Sequence, residues 1–436
     1  MIRLPLLKSI LQLAWPVIIG YLGQVFFDVA NIFWLSRLGP QVVAASGVVS
    51  FLLWGFYSLM NTSHVGTQTL VAQFLGSGNS RYRDVIKESF WLSLALSFVF
   101  ALIFWLIQDA LFRFVGLDEA TFGLAQDYFI CYIFGLPIMF TYSWLLFIFN
   151  AFADTKTGNK ILLLSLMLNM LLDPLLIFGI NPLGIDGLGI MGASLATVLS
   201  QAVGIFIGAH LLWKKRRMPP WFEFFKWKFY SLKKILVIGV PSAVSNFTWM
   251  IIFIFLSKII TPFGMEPYAA LTVAQRIEGI PYFVSLGFAT ALSVLVARSK
   301  GRQEKVGALI HAGLFSLSGF LFFVSLAFIF IPDLLMRLLT PDPLVIAQGV
   351  NYLRIVGYFE IFLGWELLLE GVFNGFGTSH LYMWIRLPLT IARIPLSYWL
   401  ISFWGVEGVW WAVSLTTFLK GLLSYLVLRF FLHRSL

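Results

Sequence analysis

The sequence predicts an all-α membrane protein with twelve transmembrane helices in two pseudo-symmetric six-helix bundles. Three observations carry that expectation: an apolar composition, twelve apolar runs cut by glycine, proline and charge, and an internal repeat at a nearly constant offset. Of the 436 residues, 59% are hydrophobic and 11% charged, with a mean hydropathy of +0.89. A water-soluble core of that size would lack the polar surface to cover it. The aromatic share of 17% suits interfacial belts and an aromatic-lined cavity equally. The net charge of +10 would suggest nucleic acid in a soluble protein. Here the basic residues flank apolar runs and read as topology signals, so membrane lipid is the expected partner and nucleic acid is not. One cysteine, Cys131, excludes an internal disulfide and any cysteine-based zinc site. The start, MIRLPLLKSILQ, shows no small-residue cleavage site, so no removable signal peptide is expected.

The apolar runs fall at about 9–35, 41–75, 85–108, 121–151, 159–180, 190–213, 234–261, 266–298, 304–331, 343–374, 380–402 and 405–431. The second would be about 52 Å long at 1.5 Å per residue, so it must tilt, kink or project from the hydrocarbon. The longest polar break contains KKRRMPPW and divides the chain into an N-terminal bundle (1–213), a cytoplasmic linker (214–233) and a C-terminal bundle (234–436). The two termini and the even-numbered loops carry 21 Lys and Arg, against four in the odd-numbered loops (Arg37, Arg113, Lys258 and Arg337). The positive-inside rule then places both termini in the cytoplasm of a multi-pass protein of the cytoplasmic (inner) membrane.

The repeat is explicit. Adding 225 takes Pro16 to Pro241, Gly39 to Gly264, Ala44-Ala45 to Ala269-Ala270 and Gly76 to Gly301. An offset of 224 pairs Phe149-Asn150 with Phe373-Asn374, and 216 pairs Gly189, Gly192 and Ala196 with Gly405, Gly408 and Ala412. These are mainly helix punctuators, which a shared apolar composition alone would not hold in register. An even number of helices per half gives both halves one orientation, as in transporters built from parallel repeats.

Within this apolar frame the anomalies are ionisable groups. The stretch LNMLLDPLLIFG puts Asp173 beside Pro174 and four residues after Asn169. At that spacing the amide and the carboxylate share a helix face, while the proline leaves a carbonyl about a turn earlier without its donor. A charge at that depth costs about 2.5–3.5 kcal/mol on insertion scales, which directs it to a polar cavity or a partner. On the first run Gln24, Asp28 and Asn31 form a second polar stripe. The repeat takes Asp28 to Phe253, Asp173 to Ser397 and Thr197 to Val413, so only the first half has these groups. Two buried acids, an amide and a hydroxyl can bind a small hard cation through oxygen or hold a proton. In the second half Glu360, Glu366 and Glu370 lie on the tenth run, and Arg276 and Glu278 on the eighth. Gln24, Asn31, Glu278, Glu360, Glu366 and Glu370 are candidates to line a substrate cavity, whereas Arg276 and Arg354 are expected in Arg–Glu ion pairs.

LAWP with a later Asp on the first run, FNAFADTK after the fourth, NMLLDPLLIFG, GIMGASLAT and AQRIEGI together resemble the multidrug and toxic compound extrusion (MATE) family. The resemblance covers nearly the whole chain. It implies a V-shaped pair of six-helix bundles around a central cavity that exports organic cations in exchange for sodium ions or protons. It also implies that Asp28, Asn169, Asp173 and Thr197 form the cation or proton site, holding sodium where sodium is the coupling ion. The seventh run lacks the acid found in some sodium-driven members.

A secondary exporter for small, aromatic, cationic compounds is therefore expected, working as a monomer and needing no cofactor beyond its coupling ion. The alternative is a lipid-linked intermediate flippase of the wider superfamily, which would favour cationic residues in the cavity. The sequence contains no HExxH, GxSxG or Walker loop, and its five histidines are scattered, so neither an enzyme nor an ATP-driven pump is expected.

Overall fold

The computed structural model describes residues 4–180, 185–225 and 229–434. Residues 19–240 form one compact unit, and residues 1–18 with 241–436 form the other. The first unit contains most of α1 (Leu4–Leu35) with α2 (Pro40–Gly76), α3 (Tyr82–Val115), α4 (Glu119–Ala151), α5 (Thr155–Phe178) and α6 (Ile190–Lys214). A two-residue antiparallel pair, β1 (Gly179–Ile180) and β2 (Ile185–Asp186), lies between α5 and α6. The second contains most of α7 (Leu232–Ile260), then α8 (Met265–Gly301), α9 (Gly307–Phe330), α10 (Pro332–Arg337), α11 (Pro343–Gly357), α12 (Glu360–Phe376), α13 (Ser379–Trp404) and α14 (Glu407–Arg434).

Among the described residues ten helices are long and apolar enough to cross a membrane. The expected tenth run differs from its prediction as one helix: it breaks at Tyr358 and Phe359 into α11 and α12. Gly357 there packs so tightly that an added Cβ would lie 3.0 Å from Cβ of Phe328. α13 is 26 residues long but carries Arg386 and Arg393. With α11 and α12 as one broken span and α13 as another, the protein has the twelve-helix, multi-pass architecture. The six-residue α10 has no counterpart among the predicted runs.

The repeated punctuators act in the same way in both halves. Gly39 (φ 121°) and Gly264 (φ 110°) each follow a 3₁₀ turn and precede a 37-residue helix. A side chain is strained in that region of φ, which accounts for glycine at both positions. Closer in, Gly192 at the start of α6 faces the α5 backbone, where an added Cβ would meet the Leu176 carbonyl oxygen at 2.4 Å. Its repeat mate Gly408 meets the Leu400 backbone at 2.5 Å. Gly204 and Gly208 continue the small face of α6 against Tyr142, Ser165 and Leu145. Without a hydrophobic drive between helices in lipid, such close backbone approach is what holds them together.

Cores follow from these contacts. In the first unit Phe56, Phe104, Phe112 and Phe129 pack edge-to-face or stacked between α2, α3 and α4. In the second, one cluster gathers Ile10, Ala14 and Ile18 with Phe288, Leu292 and Leu321, and another surrounds Trp410 and Tyr352.

The motif FADT closes the α4–α5 turn. Ala153 takes a positive φ of 51°. Asp154 then caps α5, accepting from the Thr157 N–H (3.4 Å) and hydroxyl (2.7 Å), from Lys215 Nζ (2.6 Å) and from Arg217 Nη1 (2.5 Å). Arg217 also lies over the Phe152 ring. The polar segment after α6 is thereby tied to the start of α5. Burial alone would raise the Asp154 carboxyl, but the hydrogen bonds of Lys215, Thr157 and Arg217 outweigh it and hold it at about 2, below the usual 3.8. A depressed value means that the stabilisation is complete above the unfolded pKa and is lost as pH falls toward 2. Asp154→Asn should therefore lower the thermal midpoint at pH 6, with the gap to wild type closing between about pH 4 and pH 2. Melts of the detergent-solubilised protein across that range test this, and a pH-independent gap would assign the loss to packing.

Candidate functional site

Every residue of the N-terminal constellation lies in the unit of residues 19–240. Asp173 on α5 is fully buried, Asn169 one turn earlier is 2% exposed, and Thr197 on α6 is 8% exposed. The close α5–α6 approach at Gly192 brings Thr197 to the Asn169 amide. With its nitrogen toward the carboxylate, that amide donates to both Asp173 oxygens at 2.9 and 3.2 Å. Its oxygen then accepts from the Thr197 N–H at 3.1 Å and hydroxyl at 2.8 Å. This orientation is the one in which every group is matched, because the opposite one sets the amide oxygen against acceptors only.

Tyrosines extend the network toward α1. Tyr132 donates to Thr197 Oγ1 at 3.4 Å and lies 3.3 Å from the Tyr128 oxygen, and Asn31 Nδ2 donates to Tyr128 at 3.4 Å. Three residues before Asn31, Asp28 accepts from Gln24 at 3.2 Å. Asp28 is exposed where Asp173 is enclosed. Among the described residues neither acid makes an ion pair.

The structure thus joins Asn169, Asp173 and Thr197 directly and reaches Asn31 through two phenols, with Gln24 and Asp28 one turn along α1. Tyr128 and Tyr132 belong to this polar set but were not among the sequence candidates. Tyr128 and Tyr132 are spaced i, i+4 on an apolar helix that also starts at an Asp118 cap, and that spacing was the available signal.

The donor set fits either a proton or a small hard cation. The Asp173 carboxylate, the Asn169 carbonyl and the Thr197 hydroxyl supply oxygen ligands of the kind such cations take. The amide also has two useful orientations: nitrogen toward a bare carboxylate, or oxygen toward a carboxyl proton or cation. No group of three or more His, Cys, Asp or Glu suited to a metal occurs among the described residues.

The acids of the second unit are arranged otherwise. Glu366 accepts from Lys420 Nζ at 2.6 Å and lies 3.7 Å from Arg386 Nε. Glu370 accepts from Arg386 Nη1 at 2.9 Å, and Arg386 also donates to Asn246. Arg393 donates to the hydroxyls of Thr416 and Thr417. Glu278 accepts from the Tyr352 phenol at 2.6 Å. Glu360 is 1% exposed, and neither of its oxygens has a hydrogen-bond partner among the described residues. The Arg–Glu pairs expected for Arg276 and Arg354 are not found among the described residues, where both arginines are exposed. Residues at i, i+2 on a helix do not face each other, so Arg276 turns away from Glu278. The partners are instead Arg386 and Lys420.

Each of the two helical units thus encloses a polar network, and in the first neither acid makes an ion pair among the described residues, an arrangement suited to a membrane transporter. The MatE family model matches twice, at residues 16–175 and 241–399. The first residues, 16 and 241, are 225 apart and the last, 175 and 399, are 224 apart, which are the offsets of the internal repeat. The chain belongs to the MATE family, a family of transporters and not enzymes. It is 24% identical over 441 residues to the multidrug export protein MepA of Staphylococcus aureus, covering 97% of this chain and 93% of that protein. It is 25% identical over 432 residues to an FAD transporter of Shewanella oneidensis, covering 97% and 94%. Its fold matches the crystal structure of a mutant of the Vibrio cholerae MATE transporter VcmN with a TM-score of 0.89, at 21% identity and covering 99% and 98%.

A buried ion pair that loses one partner leaves an uncompensated charge, at a cost of about 3–5 kcal/mol. Lys420→Met should therefore destabilise the protein strongly, and adding Glu366→Leu should recover much of the loss. Thermal melts of both variants in detergent check this, and equal loss in the double variant would point to packing around Lys420 instead.

Proposed function

We propose that the protein is a secondary active multidrug exporter that exchanges organic cations for protons or sodium ions by alternating access. The observation that carries this reading is the enclosed Asp173 carboxylate, satisfied among the described residues by an amide able to turn and linked through Thr197, Tyr132 and Tyr128 toward the stripe that holds Asp28. An intramembrane acid without a basic partner is costly and points to a role in carrying an ion. In this mechanism Asp28 is the accessible end and Asp173 the enclosed one. Loading by an ion turns the Asn169 oxygen toward it, relaxes the bare carboxylate and favours the conformation that releases cargo. A monovalent ion moving down ~100 mV releases about 2.3 kcal/mol, and a tenfold gradient adds about 1.4 kcal/mol. For a monovalent cationic cargo exchanged one for one, the voltage parts cancel and the chemical gradient remains.

Further parts of this reading are a monomeric working unit, residence in the cytoplasmic membrane with both termini in the cytoplasm, and a linker at 214–233 between two bundles. The relatives named for multidrug export support a broad cargo range, and the one named for FAD makes an anionic flavin the comparison cargo to assay. The flippase alternative needs cationic groups free to meet phosphate. Against it, Arg386 and Lys420 are buried and committed to Glu370 and Glu366.

Asp28→Asn and Asp173→Asn should each abolish efflux of a cationic dye from vesicles while leaving the melting profile near wild type. The same vesicles, given a sodium gradient, a pH gradient or neither, identify the coupling ion. Full transport by either variant contradicts the mechanism.

A further inference from the structure

A second candidate binding feature lies within the first unit, apart from the acidic network. A groove of about 370 Å³ runs along α3, lined by Trp91, Leu94, Ala95 and Phe98 on the helix and by Phe224 and Phe229 from the segment after α6. That volume lies in the range of small-molecule sites. Positions 91, 94, 95 and 98 share one helix face, so the groove follows the helix axis from its charged first turns into its apolar run. Its far side is fixed: Trp91 Nε1 donates to the Phe224 carbonyl at 2.7 Å, and Glu88 accepts from the N–H groups of Tyr230 and Ser231 at 3.2 and 2.7 Å.

The groove opens sideways. Phe98 is 59% exposed and Ala95 is exposed, on the helix whose later residues Leu102 and Leu106 are also exposed in a protein that spans a bilayer. Its natural neighbour is therefore hydrocarbon. At the other end the charges are unbalanced toward cations. Five basic residues, Arg81, Arg83, Lys87, Lys233 and Lys234, stand against three carboxylates there: Lys87 lies 2.9 Å from Asp84 and 3.9 Å from Glu223, and Glu88 accepts from the two backbone amides. Arg81, Arg83, Lys233 and Lys234, which adjoin the lining residues Asp84 and Leu232 in the chain, are all exposed. Exposed basic residues beside the membrane attract anionic headgroups.

We propose that this groove seats one acyl chain of an anionic glycerophospholipid, whose phosphate is held by Arg81, Arg83, Lys233 and Lys234. The lipid bridges α3 and the segment leading to α7, and so acts on the linker and not on the acidic network. The proposal stands whether or not the protein proves to be a cation exporter, because its readout is lipid retention.

Native mass spectrometry of the full-length protein, titrated with phosphatidylglycerol or phosphatidylcholine of equal chain length, tests it. Phosphatidylglycerol should be retained about five-fold or more over phosphatidylcholine. Ala95→Trp, which fills the groove, should reduce retention of both, and Leu94→Trp serves if the first variant does not fold. The pair Lys233→Glu with Lys234→Glu should remove the preference for phosphatidylglycerol and leave phosphatidylcholine retention unchanged. Equal retention of the two lipids by wild type, or undiminished retention in the tryptophan variant, overturns the proposal. Displacement of phosphatidylglycerol by millimolar glycerol 3-phosphate would reduce the site to a headgroup contact and reject the acyl groove. Displacement by a cationic dye at comparable concentration would assign the groove to cargo and reject the lipid.

Discussion

The contact on which the first unit depends is the near-touching of α5 and α6 backbones at Gly192. Only a residue without a side chain can sit 2.4 Å, as judged by an added Cβ, from the Leu176 carbonyl oxygen. That approach positions Thr197 so that one amide, Asn169, can satisfy both it and Asp173. In hydrocarbon an unsatisfied carboxylate would drive local water entry or expulsion of the helix. The glycine and the acid are therefore one device: close packing excludes water, and the polar triplet it creates makes the exclusion tolerable.

The repeat then shows what is architecture and what is chemistry. Gly408 makes the same close approach against Leu400, yet Asp173 and Thr197 are replaced at the corresponding places by Ser397 and Val413. The packing device is kept in both halves and the acid is kept in one. The second unit instead carries Glu366, Glu370, Arg386 and Lys420 as an enclosed ionic network. Such pairs barely offset their desolvation but fix helix register strongly, since any shift would strand a charge. In physical terms the second unit is locked by its charges, while the first holds a carboxylate whose needs a proton, a cation or an amide can each meet.

Much of this was legible in the sequence because it rests on punctuation. Proline and glycine marked the helices, their spacing revealed the repeat, and Asp28, Asn169, Asp173 and Thr197 were visible as polar groups where none is expected. What was not legible depended on which faces meet. Tyr128 and Tyr132 were hidden because aromatic residues are common in this chain and their hydroxyls declare no direction until α4 is docked. Arg386 and Lys420 pair with Glu370 and Glu366, residues 16 and 54 apart, and no local spacing announces such pairs. The helix break at Tyr358 and Phe359 carries no proline, so no punctuation in the sequence announces it.

Pro16 and Pro241 tie these strands together. Each lies inside a helix, and each lies close to the point where that helix passes from one compact unit to the other, after Ile18 in α1 and after Val240 in α7. A proline removes one backbone hydrogen bond and clashes with the turn before it, which lowers the cost of bending at that turn. In α1 that turn lies between Ile10 and Ile18, which belong with Ala14 to one core, whereas Asn31 further along meets Tyr128 in the other unit. The repeat has thus placed a proline in each half close to the residue where the helix passes from one unit to the other. The polar stripe of Gln24, Asp28 and Asn31 begins two turns beyond Pro16, so stripe and proline lie in different compact units of one continuous helix.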